Sequence, residues 1–73
     1  MAKFEINDSV KFSREYTERL KNFFTAKDLM LFPVGQTLTV TECKDFSGVT
    51  HYKTDQFSLW IEESNLTEVK KNG

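Results

Sequence analysis

The sequence predicts a mainly β fold: a small five-stranded barrel with a long, partly helical first connection. Three observations predict it. After Gly35, Leu38 and Val40 alternate with threonines whose branched side chains suit a pleated surface, the period-two pattern of a strand with one buried face. Between Arg14 and Val34 the apolar spacing lengthens to that of a helix. Beyond Cys43, short alternating runs are separated by turn-forming residues, as in an antiparallel meander.

Taken in order, Phe4, Ile6, Val10 and Phe12 share one parity, and Asn7-Asp8 interrupts them as turn formers, so a first strand is expected over residues 9–13. Residues 1–6 either fray or add an edge pairing. Tyr16, Leu20, Phe23 and Phe24 then fall at i, i+4, i+7 and i+8, one face of an amphipathic helix that Ser13 can cap and Glu15 favours in its first turn. Thr25-Ala26-Lys27-Asp28 reads as a capping box for a second, short helical turn, which Pro33 prevents from continuing. A connection this long in so small a domain is expected to be structured or functional.

After the Leu38 strand, Asp45-Phe46-Ser47-Gly48 has turn chemistry, and residues 49–53 should return antiparallel. Thr54-Asp55-Gln56 makes the next turn. Residues 57–61 alternate again, placing Phe57, Leu59 and Ile61 on one side and Trp60 on the other. Glu63-Ser64-Asn65 is a tight polar turn before a last strand over residues 66–69, and residues 70–73 read as a solvated tail. Partial closure of this bent sheet into a barrel would remove its edges.

Composition narrows the function classes. A 73-residue chain makes one domain, and a core of that size supplies only about 3 to 5 kcal/mol of net stability. Cys43 is the only cysteine and His51 the only histidine, so neither a disulfide within the chain nor a thiolate metal site is expected. Stability must come from apolar packing, to which seven phenylalanines, Trp60, Tyr16 and Tyr52 contribute most of the area. No apolar run reaches the length of a membrane span and the first residues lack a signal-peptide apolar region, so a reducing cytoplasm and no membrane partner are expected. The net charge of -1 gives no support to strong non-specific nucleic-acid binding. Charge is nevertheless segregated: residues 11–27 are mostly basic and residues 42–68 mostly acidic.

Leu31-Phe32-Pro33-Val34-Gly35-Gln36-Thr37-Leu38-Thr39-Val40 resembles the part of Src-homology-3-like (SH3-like) barrels in which an apolar residue, a Gly-polar diverging turn and an alternating strand follow one another. Trp60-Ile61-Glu62-Glu63-Ser64-Asn65-Leu66-Thr67-Glu68-Val69 is similar to the end of that fold, where a strand, a one-turn helix built around Ser-Asn and a last short strand succeed one another. The resemblance implies that residues 14–32 occupy the place of the family's first long loop. Proline-rich peptide binding is not implied, because the family's aromatic groove positions correspond here to Ser13-Arg14-Glu15-Tyr16, Gly48-Val49-Thr50-His51 and Glu62-Glu63. The barrel also occurs in accessory subunits and small bacteriophage proteins, so the fold alone selects no function.

Candidate chemistry is sparse. Cys43 and His51 form the only conventional nucleophile and base, and they lack an orienting third group, so an enzyme is not expected. Cys43 reads instead as a half-buried sheet residue and His51 as a surface strand residue. Asp55, Glu62 and Glu63 do not have calcium-loop spacing and read as a solvated acidic face. No cofactor and no small-molecule substrate is implied. Trp60 is expected to fold under the connection and close one end of the core; on the outer side of the sheet it would instead anchor a partner.

The leading expectation is a non-catalytic protein-interaction module, an accessory subunit or a bacteriophage-encoded modulator of a host enzyme, binding a protein through Trp60, Glu62, Glu63, Arg14 and Arg19. The alternative is a nucleic-acid-binding barrel that uses Lys11, Arg14, Tyr16, Arg19, Lys21 and Phe23, where cations interleave with aromatics.

Overall fold

The computed structural model describes residues 2–69; the tail expected over residues 70–73 lies outside them. Its elements are β1 (Ser9–Phe12), α1 (Arg14–Phe23), α2 (Ala26–Leu29), β2 (Leu38–Phe46), β3 (Val49–Thr54), β4 (Phe57–Glu62), a 3₁₀ turn (Glu63–Asn65) and β5 (Leu66–Glu68). The protein is mainly β, built on one five-stranded antiparallel sheet in the order β4-β3-β2-β1-β5. Strand β2 is the hub. Its first residues pair with β1, Leu38 opposite Val10 and Thr39 opposite Ser9, and the remainder pairs with β3.

The turn into β2 depends on Gly35. Gln36 N–H closes back on the Pro33 carbonyl at 3.4 Å, and Gly35 takes a φ of 77° at the third position, as a type II turn requires. Midway along β2, Thr41 is an extra residue: Val40 lies opposite Thr54 and Glu42 opposite Lys53, so two steps of β2 match one of β3. The bulge turns the strand. Leu38 and Val40 point into the core before it, and Glu42, Lys44 and Phe46 share the outer face after it. Pairing then continues to Phe46 opposite Val49, so the hairpin closes with two residues rather than the four expected from Asp45 to Gly48. Ser47 and Gly48 take φ values of 51° and 80°, the primed turn whose twist matches its strands.

Phe4, Val10, Phe12, Leu20, Leu38, Val40, Tyr52, Ile61 and Leu66 make the core. Helix α1 starts where Ser13 Oγ accepts the Tyr16 amide at 3.2 Å, and it lays Leu20 into this core with the Tyr16 ring edge-on to Phe12 at 5.1 Å. Helix α2 is capped by Thr25, whose hydroxyl accepts the Asp28 amide at 3.3 Å and donates to the Asp28 carboxylate at 3.1 Å. Leu29, Phe32 and Val34 pack against the core and hold the connection down.

The sheet departs from the expected barrel in one respect. β4 and β5, at opposite ends of the strand order, are joined by only three residues, so the sheet curls strongly; yet they do not pair among the described residues, and the ladder stays open. Phe4 belongs to no strand, yet it is 2% exposed and packs in the core with its ring against Tyr52. Three apolar residues expected on buried faces stand in solvent instead. Ile6 follows the turn at Glu5–Asp8 out of the core, where Asn7 takes a φ of 77°. Leu59 sits where β4 advances four residues against two of β3, a bulge that carries it off the core face. Phe23 occupies the last turn of α1, beyond the part of the helix that Leu20 seats on the core.

Candidate protein-interaction surface

The two capped helices form a ledge beside the sheet, and its apolar side chains divide sharply. Leu20 is buried, and Leu29 and Phe32 pack on the core, whereas Phe23, Met30 and Leu31 are 81%, 84% and 77% exposed. Phe24 is partly exposed and lies against Phe32 with ring centres 5.3 Å apart. Three large apolar side chains thus stand in water along one connection of the fold. Lys21 lies 3.9 Å from Glu18 and Lys27 is exposed, so charge borders the apolar side chains.

Where α1 meets the 3₁₀ turn, a cleft of about 630 Å³ opens between Arg14, Glu15, Glu18, Arg19 and Ser64. Arg19 fixes this seam by donating to Asn65 Oδ1 at 2.6 Å while lying 5.7 Å from the Tyr16 ring centre. Burial raises the Tyr16 phenol above its ordinary pKa, with the Arg19 charge pulling the other way. Ser64 Oγ donates to Glu62 at 3.2 Å, so Glu62 borders the same turn. Of the residues expected to bind a protein, Arg14, Arg19 and Glu62 therefore lie at or beside this seam.

Glu63 is engaged differently. Its Oε2 accepts the Tyr52 hydroxyl at 2.6 Å and the Lys3 amide at 3.0 Å. Those bonds hold its carboxyl below the usual range, the phenol contributing most, and burial together with the same carboxylate pushes the Tyr52 phenol up to about 12.

Trp60 lies on the outer face of the sheet, not under the connection. Ile61 opposite Tyr52 faces the core, so its neighbour Trp60 must face away, alongside Glu62 opposite His51. There it meets Phe46 edge-on at 5.4 Å, and Phe46 meets His51 at 5.1 Å, making an aromatic row across three strands. Lys44 and Lys53 stand 5.4 and 5.6 Å from the Phe46 and Trp60 ring centres. Glu42, 3.7 Å from Lys53, and Glu62 balance these charges. Only the alternation of β4 in the sequence hinted at this row, because its β2 members depend on the bulge at Thr41.

The residues expected to contact nucleic acid are dispersed. Arg14 and Lys21, seven residues apart, share one side of α1, while Tyr16 packs on Phe12, Arg19 bonds Asn65, Lys11 projects from β1 and Phe23 stands at the far end of the helix. Cys43 and His51 are also kept apart. Cys43 is opposite Tyr52 and Lys44 opposite His51, so the thiol and the imidazole emerge on opposite faces of the sheet. Cys43 is exposed rather than half-buried, and His51 is half-buried with Nδ1 2.9 Å from the Val49 carbonyl.

Asp55 Oδ1 accepts the Thr39 amide at 3.0 Å, and with Glu63 committed to Tyr52 and Lys3 the three carboxylates read as an acidic face hold separate partners. Among the described residues no group of three His, Cys, Asp or Glu side chains is placed to hold a metal ion, and no helix is long and apolar enough to cross a membrane.

Fold and surface thus define a small mainly β protein, an open five-stranded antiparallel sheet with a capped two-helix ledge. No family model, curated protein or solved structure matches the chain.

Proposed function

We propose that this protein is a non-catalytic protein-interaction module of the SH3-like class, which docks a partner protein on the ledge formed by α1 and α2. One observation carries the reading: Phe23, Met30 and Leu31 are each more than three-quarters exposed on a connection whose helices are capped and whose Tyr16, Leu20, Leu29 and Phe32 are seated on the core. Ordering exposed apolar groups gives the fold nothing, but it lowers the entropic cost of burying them against a partner. The arginine-lined seam on α1 adds contact area to the same helix, and the Trp60 row offers a second surface on the outer face of the sheet. The SH3-like assignment is supported by the curl of the sheet, by the long connection after β1, and by the strand, one-turn helix and short strand that close the chain. Such a module suits an accessory subunit or a bacteriophage-encoded modulator of a host enzyme.

The test is affinity capture from lysate with the wild-type protein and with Phe23→Ser, Met30→Gln, Leu31→Ser combined. The combined variant should fold and lose the partner, while Trp60→Ala and Glu62→Lys weaken capture less. Undiminished capture by the combined variant would place the interface elsewhere. Salt-sensitive binding to single-stranded or duplex oligonucleotides, with no protein captured, would replace this reading by nucleic-acid binding.

A further inference from the structure

The segment before β1 is held to the fold by hydrogen bonds that converge on one carboxylate. Phe4 is buried in the core without belonging to a strand, its ring edge-on to Tyr52 at 5.2 Å. Its amide donates to Tyr52 Oη at 3.1 Å, the Tyr52 hydroxyl donates to Glu63 Oε2 at 2.6 Å, and the Lys3 amide donates to that same oxygen at 3.0 Å. One carboxylate oxygen thus ends both lines of hydrogen bonds, with partners 60 and 11 residues away along the chain. The contact ties the leading segment to β3 and to the 3₁₀ turn between β4 and β5.

We propose that residues 3–6 form an acid-releasable strap, latched by Glu63, that covers the Tyr52 side of the core and hinges at Asn7, whose amide stays bonded to the Val40 carbonyl at 2.8 Å. Protonating Glu63 converts a pure acceptor into a group with a proton of its own, so the Tyr52 hydroxyl and the Lys3 amide lose the charge-assisted bonds that hold them. Lys3 from the strap and Tyr52 from β3 face the carboxylate, Glu62 is its neighbour in the chain, and Cys43 from β2 lies across from Tyr52. Of these only Glu62 carries a second carboxylate, and it stands opposite His51 on the outer face of the sheet and accepts from Ser64 Oγ instead.

The sign follows from the bonding. Because Glu63 titrates below its ordinary value in the folded chain, the latch is complete above the ordinary carboxyl range and is lost as pH falls through the lowered value. Release withdraws Phe4 and bares the Tyr52 ring, giving a strap-open form whose β-sheet persists.

Amide NMR spectra from neutral pH down to about pH 3 test this, the range being set by ordinary carboxyl titration. The Lys3 and Phe4 signals should move toward unfolded positions in a step that leaves Val10, Leu38 and Val40 in place. Glu63→Gln should abolish the step. Lys3→Pro deletes the amide donor together with the Lys3 ammonium 5.6 Å from the Phe4 ring centre, and should lower Phe4 amide protection at neutral pH by about tenfold, as for loss of a bond to a charged group, whereas Lys3→Ala, which keeps the amide, should lower it less. If Phe4 is lost only together with the sheet, or if Glu63→Gln keeps the step, the latch is wrong. An unfolded Glu63→Gln protein would make Glu63 a general structural residue and contradict a separable strap; in that case unchanged protection in Lys3→Pro would contradict it independently.

Discussion

The sheet and the ledge are built from the same kinds of apolar side chain and treat them in opposite ways. In the sheet, Val10, Leu38, Val40 and Tyr52 are completely buried. On the ledge, Leu20 and its packed neighbours are enough to fix both helices, and Phe23, Met30 and Leu31 are left outside. Apolar character alone therefore says little about what a side chain is for. What separates the two groups is whether the backbone turns them toward the sheet: the regular pairing of β1 with β2 does so for Val10 and Leu38, while Phe23 at the end of α1 and Met30 and Leu31 just after α2 stand away from it.

The largest expected difference between the regions is in stability. Leu38→Ala should cost about 3 kcal/mol, close to the whole stability of a core this small, and urea denaturation should show a largely unfolded protein. Ser13→Ala removes the cap of α1 and should cost about 1 kcal/mol, read as a lower melting temperature with the sheet retained. Thr54 offers a change in the other direction: its hydroxyl is buried across from Val40 without a hydrogen-bond partner among the described residues. Thr54→Val should therefore stabilise by about 1 kcal/mol, and a lower midpoint would mean that the hydroxyl is satisfied in solution. The smallest effects belong to the ledge. Phe23→Ser, Met30→Gln and Leu31→Ser should each shift stability by less than about 0.5 kcal/mol, and a loss of several times that would show that the fold already uses these side chains.

Much of the architecture was legible because it is local. The period-two run after Gly35, the helical spacing of Tyr16 and Leu20, and the caps at Ser13 and Thr25 each declare themselves within a few residues. Features that depend on pairing between strands were not legible. The bulge at Thr41 decides which β2 residues share a face, the bulge in β4 expels Leu59, and neither carries a glycine or proline to announce it. Phe4 matched the parity of β1, but nothing in its surroundings showed that it would be buried from outside a strand. The latch at Glu63 was hidden for the same reason, since its partners lie 11 and 60 residues away. Of the candidate surface, Arg14 and Arg19 are visible in the sequence as members of its basic stretch, while helical spacing puts Phe23 on the same face as Leu20, because the pattern shows the face of a helix and not where the sheet beneath it ends.

The most direct test is hydroxyl-radical footprinting of the free protein and of the protein bound to its captured partner. Phe23, Met30 and Leu31 should be labelled rapidly in the free chain and protected in the complex, while Leu38 and Tyr52 stay protected in both. Protection of the three ledge residues already in the free chain, or their undiminished labelling in the complex, would contradict the account.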